Sequence, residues 1–294
     1  MSIIRISDEV QAALDAGRPL VALETTLVAH GFPAPDGLEV ALASEEAVRS
    51  AGAVPATIGV VAGEIRVGLA RRELEELTPQ ARKLGPRDLA PCVAARATGA
   101  TTVGGTLAVA RSVGIRFLGT GGIGGVHRGF PTVPDVSADL AMIARAQALV
   151  VCSGAKSLLD VPATVELLES LGVPVLGFRT STLPLFYAAE GGPPVQERVE
   201  DAATAARIAA DHWSLDGGGI VLATPPPSSL DVSELVEEAL SEATRAGISG
   251  PAVTPFVLAL LHERSGGATL RANRDLVVAN ARLAGEIAVA FGAL

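Results

Sequence analysis

Lysine is scarce in this chain: Lys83 and Lys156 are the only two, and the other 21 of its 23 Lys and Arg residues are arginine. Arginine does not lose its proton in a protein, so amine chemistry has just two candidate positions. Lys156 follows the apolar run Leu149-Val150-Val151-Cys152 and the small residues Ser153-Gly154-Ala155. Partial desolvation there would lower its pKa and free the amine for carbonyl chemistry. An isolated lysine just past a strand is more often simply solvated. With two lysines in the whole chain and this setting, the covalent reading outweighs the solvated one.

Four further features could complete a site. Glu24 closes the apolar run Val21-Ala22-Leu23, where burial would raise a carboxylic acid toward the range useful for proton donation. A surface or helix-capping acid explains Glu24 equally well. The loop Gly119-Thr120-Gly121-Gly122-Ile123-Gly124-Gly125-Val126-His127-Arg128-Gly129 contains a formal GxGxxG after a strand. A dinucleotide fold needs a helix to begin inside that motif, whereas Gly129 to Pro134 holds a glycine and two prolines with no apolar periodicity. The dinucleotide reading fails, and a glycine-rich backbone suited to an anion remains, beside an ordinary turn as the alternative. Asp135 and Asp139 flank Ser137 and suit a hard cation such as Mg²⁺ or Mn²⁺, although a helix cap at Asp135 or Ser137 is the simpler reading of these residues alone. Lys83 lies in the basic stretch Arg82-Lys83-Leu84-Gly85-Pro86-Arg87-Asp88, a place to hold phosphate ahead of a helix.

The elements that must position these residues alternate along the chain. Apolar runs at 20–23, 101–103, 115–118, 148–152, 173–178 and 220–223 read as strands. The span 57–69 reads as a hairpin turning at Gly63-Glu64. Helical patterns cover 38–49, 71–77, 87–98, a stretch from Thr106, 137–146, 165–171, 202–212 and 234–245, with two more starting at Thr254 and Asn273. This alternation predicts one α/β domain over residues 1–294, with a largely parallel sheet and helices on both faces. Ligands of such sheets sit beyond the carboxyl ends of the strands. Glu24, the glycine loop and Lys156 all follow strands, so parallel neighbours would gather them on one rim.

Composition fits this architecture and excludes others. Hydrophobic residues make up 49% and aromatics only 3%, so Ala, Val, Leu, Ile and Gly must build the core. The net charge is −9 with charges scattered, leaving no nucleic-acid footprint. Cys92 and Cys152 sit in apolar segments without a CxxC pair, as expected for buried thiols in a cytoplasmic protein. The first residues lack a signal-peptide pattern, and no apolar run approaches the ~20 residues of a membrane span.

Taken in order, these motifs resemble the pseudouridine-5′-phosphate glycosidases, also called the indigoidine-synthase-A-like family. The resemblance spans essentially the whole chain. It rests on Val21-Ala22-Leu23-Glu24-Thr25-Thr26 with His30-Gly31, on Gly52-Ala53-Val54-Pro55-Ala56-Thr57, and on Thr120 through Gly129. Asp135-Val136-Ser137-Ala138-Asp139 and Val151-Cys152-Ser153-Gly154-Ala155-Lys156-Ser157 complete it. Departures at Thr25, Ser153 and Pro86 remove no catalytic group.

The resemblance implies a three-layer α/β/α fold and a homotrimer. It implies cleavage of the C–C bond of pseudouridine 5′-phosphate to uracil and ribose 5-phosphate through a lysine Schiff base. Lys156 falls on the nucleophile, Glu24 on the proton donor and Asp135 on the position of a Mn²⁺ ion. Lys83, Val103, Ser137, Ala138 and Asp139 fall on substrate-binding positions, and Thr102 and Asn280 are expected in the same pocket. A lysine-dependent sugar-phosphate aldolase and a non-catalytic ribose-phosphate-binding module are the alternatives. Retention of both Lys156 and Glu24 argues against the module.

Overall fold

The computed structural model describes residues 3–294 apart from Pro131, Val133 and Ser249. The readings made above of Met1-Ser2 and of part of Gly129 to Pro134 therefore fall outside the described residues. β1 (Ile4–Ile6) and α1 (Asp8–Asp15) lead into β2 (Leu20–Leu23), a π-helical turn at Leu27–Gly31, and α2 (Asp36–Ser50). The hairpin β3 (Val54–Val61) and β4 (Glu64–Val67) precedes α3 (Arg71–Glu75), β5 (Arg82–Leu84), α4 (Leu89–Ala94), β6 (Gly99–Thr101) and α5 (Val103–Ser112). Next come β7 (Phe117–Gly119), β8 (Val126–His127), α6 (Ala138–Arg145), β9 (Leu149–Cys152), β10 (Leu159–Asp160) and α7 (Val161–Ser170). The series ends with β11 (Val175–Phe178), β12 (Glu197–Val199), α8 (Ala202–Ser214), β13 (Ile220–Ala223), α9 (Ser233–Arg245), α10 (Val253–Arg264) and α11 (Ala268–Gly292).

The main sheet runs β1-β4-β3-β2-β7-β9-β13-β11-β12, with β6 beside β3 and β5 beside β6. From β3 to β12 along this order every neighbouring pair is parallel. β4 and β6 pair antiparallel with β3, and β1 and β5, parallel to them, share that opposite direction. The all-apolar strands follow from burial on both faces. In β2, Leu20 and Ala22 face one core cluster while Val21 and Leu23 face the other, the period-two alternation of a strand. The first cluster packs under α1, α5, α6 and α7, and the second under α8 and much of α11. Small residues such as Ala205, Ala206, Ala209 and Ala281 let those helices lie close on the sheet. The three layers expected from the sequence are therefore present. Among the described residues, no helix is long and apolar enough to cross a membrane.

Several boundaries differ from the sequence reading. The hairpin turns at Ala62-Gly63, both at positive φ, and Glu64 already belongs to β4. The helix expected over 87–98 is only α4, because Arg96 at φ 51 ends it. The basic stretch around Lys83 is strand β5 rather than loop, paired with β6. α11 starts five residues before Asn273, after Gly267 in the left-handed region. The pairing of β5 joins it to β6 across an intervening helix, so local periodicity leaves it invisible.

Candidate active site

The expected rim forms because β2, β7 and β9 are consecutive parallel neighbours. Leu23 pairs with Gly119, and Gly119 pairs with Val151. One step beyond that register, Glu24 stands beside Thr120, whose N–H donates to Val151 O at 3.0 Å. The glycine loop then continues pairing with the lysine segment as an irregular parallel ladder. Ser153 N donates to Gly121 O (2.8 Å), Ile123 N to Gly154 O (3.1 Å) and Lys156 N to Ile123 O (3.3 Å). Gly154 makes this path possible. Its φ is +84°, and a Cβ there would lie 1.9 Å from Pro184 O.

These segments enclose a cavity of about 450 Å³ lined by Glu24, Lys156, Lys83, Asp135, Ser137, Ala138 and Asp139, with Thr102 as well. The N-termini of α5 and α6 border this cavity, through Thr102 and through Ser137, Ala138 and Asp139, and their helix dipoles favour an anion. Lys83 and Arg87 supply formal positive charge there. Burial, and then the neighbouring charge of Lys156, lowers the Lys83 pKa, while Asp139 and Glu24 oppose the shift. The lining also includes the apolar side chains of Phe32, Phe186, Leu258 and Val277. One amide, Asn273, lines it as well, 4% exposed.

Each carboxylate has its own environment. Glu24 is 5% exposed; Oε2 accepts from the Thr26 hydroxyl and Oε1 from the Thr120 hydroxyl. Asp139 accepts from Gly104 N at 2.7 Å through Oδ1 and from Gly124 N at 2.9 Å through Oδ2. It therefore ties the start of α5 to the glycine loop. Ser137 caps α6, its hydroxyl accepting from Asp139 N at 3.2 Å. Asp135 stands at the cavity wall with its Oδ2 3.9 Å from His127 Nδ1. Burial lowers the His127 pKa against the opposing pull of Asp135. Burial also lowers that of His30, on the π-helical turn, with Lys83 adding to the effect.

Val103 and Asn280 are placed differently from the other expected residues. Neither is among those lining the cavity. The Val103 side chain is packed in the core at 1% exposure, and its neighbour Thr102 reaches the cavity instead. Asn280 stands behind the glycine loop, where Nδ2 donates to Thr120 O at 2.8 Å. The amide that does line the cavity is Asn273, seven residues earlier on the same face of α11. Sequence reasoning passed over it, although a second asparagine at helical spacing along an apolar face was visible. His30, Phe32 and Phe186 were also missed as cavity walls.

A metal has limited protein donors here. Among the described residues, no cluster of three or more His, Cys, Asp or Glu side chains is present. Both Asp139 oxygens are engaged by backbone N–H groups, so of the pair Asp135 and Asp139 it is Asp135 that has no backbone N–H bonded to its side chain. Such a donor set fits a hard cation that keeps most of its waters and needs one or two carboxylates.

The family model described as "Indigoidine synthase A like protein" matches residues 9–290. The chain belongs to this family. Among its relatives, the pseudouridine-5′-phosphate glycosidase of Myxococcus xanthus (strain DK1622) is 49% identical over 297 residues, covering 98% of both chains. That of Roseiflexus sp. (strain RS-1) is 49% identical over 309 residues, covering 99% of this chain and 96% of its own. The crystal structure of the prealnumycin C-glycosynthase AlnA in complex with ribulose 5-phosphate superposes with a TM-score of 0.90 at 40% identity, covering 100% of this chain and 98% of AlnA. The indigoidine synthase A-like protein of Thermotoga maritima gives a TM-score of 0.88 at 36% identity, covering 97% and 95%. The three-layer fold with a mostly parallel sheet is thus common to this chain and its solved neighbours.

Proposed function

We propose that residues 1–294 act as one catalytic unit that cleaves the C–C glycosidic bond of pseudouridine 5′-phosphate to uracil and ribose 5-phosphate, reversibly. The observation that carries this reading is one cavity whose lining combines three chemistries. Lys83 and two helix N-termini line it, Lys156 and Glu24 form the reacting pair, and apolar side chains with Asn273 complete the lining. A phosphate fits the first and a flat pyrimidine fits the last. The Asn273 amide offers both a donor and an acceptor to the uracil edge.

A carbon leaving group is not easily protonated, so the two-carboxylate scheme of O-glycosidases is a poor match. The amine of Lys156 attacks C1′ as the C1′–O4′ bond breaks, and O4′ takes the proton that the attacking nitrogen gives up. Glu24 donates a proton to uracil C5 as the C1′–C5 bond breaks, and the nitrogen lone pair forms the C1′=N bond. Water then adds to this Schiff base, returning the free amine and ribose 5-phosphate. Lys83, Ser137 and Ala138 hold the phosphate end, while Asp139 shapes it by fixing Gly104 and Gly124. Mn²⁺, when bound through Asp135 and water, supplies positive charge that offsets the anionic substrate. The family resemblance supports a homotrimer acting in the cytoplasm; sedimentation of the purified protein reads the assembly.

The test is uracil release from pseudouridine 5′-phosphate, followed by chromatography. Release by the wild-type chain and loss of release in both Lys156→Ala and Glu24→Gln supports the reading. Release that survives either substitution overturns the assigned roles.

A further inference from the structure

One polar side chain is not used by this mechanism. Asn280 is 1% exposed on α11, the helix that packs across β2, β7 and β9. Those are the three strands whose ends carry Glu24, Thr120 and the lysine segment. From behind the cavity, Asn280 Nδ2 donates to Thr120 O at 2.8 Å and lies 3.4 Å from Gly121 O. The same nitrogen donates to Ser153 Oγ at 3.1 Å. Thr120 in turn donates its hydroxyl to Glu24, and Ser153 stands three residues before Lys156, with its N–H on Gly121 O. Thr26 takes the second Glu24 oxygen.

We propose that Asn280 is a positioning residue that sets the placement of Glu24 relative to Lys156, acting through Thr120 on one side and Ser153 on the other. The inference rests on the lysine–glutamate reading above. The hydrogen bonds of Asn280 favour it for a physical reason. A buried amide is tolerated only when its hydrogen bonds are made, and this one makes them to the two loops whose spacing the reaction depends on. A carboxylate seated between two hydroxyls has its direction fixed, and the Thr120 hydroxyl is only as well placed as the backbone beneath it. Proton delivery to a carbon demands that alignment more than substrate capture does.

The experiment combines kinetics with substrate-free crystal structures. Thr120→Val keeps shape and the backbone contact to Asn280 but removes the hydroxyl from Glu24. Uracil release is expected to fall about 10- to 100-fold in kcat, with KM within about twofold. Trapping of ribose 5-phosphate on Lys156 by borohydride should proceed at the wild-type rate, and Thr120→Ser should restore most of kcat. Asn280→Leu should show the same kcat loss, and adding Thr120→Val to it should cost little more, because both act through one carboxylate. Its crystal structure should show Glu24 and Thr120 moved relative to Lys156. If Asn280→Leu does not fold, Thr120→Val and Thr120→Ser decide the Thr120 link, and Ser153→Ala, expected to lower kcat without moving KM, decides the Asn280 link. Wild-type kcat in Thr120→Val, additive losses, or an unmoved Glu24 in the Asn280→Leu crystal overturn the proposal. A wild-type protein that neither releases uracil nor traps the sugar overturns the functional reading instead, and the crystal comparison still decides the positioning.

Discussion

Asp139 separates a structural tie from a substrate contact, and Asp139→Asn reads the difference. The side chain is 4% exposed, and both oxygens accept backbone N–H groups, from Gly104 at 2.7 Å and Gly124 at 2.9 Å. An amide keeps one acceptor and turns an NH₂ group toward the other N–H. One hydrogen bond to a charged acceptor is lost and a buried donor is left unpaired, a combined cost of about 2–4 kcal/mol. For a chain of this size the midpoint of thermal unfolding should drop by roughly 3–7 °C. The assay is differential scanning calorimetry without ligands, paired with the KM for pseudouridine 5′-phosphate. KM should rise as the start of α5 and the glycine loop lose their common anchor. An unchanged or higher midpoint, with activity still lost, would refute the reasoning and make Asp139 a substrate contact alone.

Other perturbations follow from the same geometry. Gly154→Ala puts a Cβ 1.9 Å from Pro184 O at φ +84°, so the lysine segment must shift. The variant should lose sugar trapping at Lys156 and unfold at lower temperature, whereas wild-type trapping would contradict the placement. Lys83 has a lowered pKa in the folded state, from burial first and Lys156 second, so between that value and the ordinary lysine range the unfolded chain binds more protons. Stability should therefore rise with pH across that window, and KM should rise there too as the phosphate loses its counter-charge. Lys83→Met should abolish this part of the slope in unfolding midpoints measured against pH. Exhaustive chelation should depress uracil release and added Mn²⁺ restore it, with Asp135→Ala insensitive to both; full activity in chelator would remove the metal from the scheme.

Much of this site was legible in the sequence because it depends on strand ends. Glu24 and Lys156 follow all-apolar strands, and Lys156 is one of two lysines, so topology alone brings them to one rim. The layer order followed from the same alternation of runs. What stayed hidden depends on contacts far apart in the chain. Phe32 and Phe186 reach the cavity from loops with no periodicity, and Lys83 sits on a strand that exists only because β6 lies beside it. Asp139 looked like a cation or substrate ligand because its partners in the fold, Gly104 and Gly124, are backbone groups in other segments. Asn273 and Asn280 share a helix face, and choosing between them required knowing where the cavity ends along α11.

The central claim is a covalent lysine, and reductive trapping tests it most directly. The protein is incubated with ribose 5-phosphate and borohydride, digested, and its peptides mapped by mass spectrometry. The account predicts one reduced sugar-phosphate adduct, on Lys156, that disappears in Lys156→Ala while Lys83 remains unmodified. No adduct, or an adduct that persists unchanged in Lys156→Ala, would contradict it.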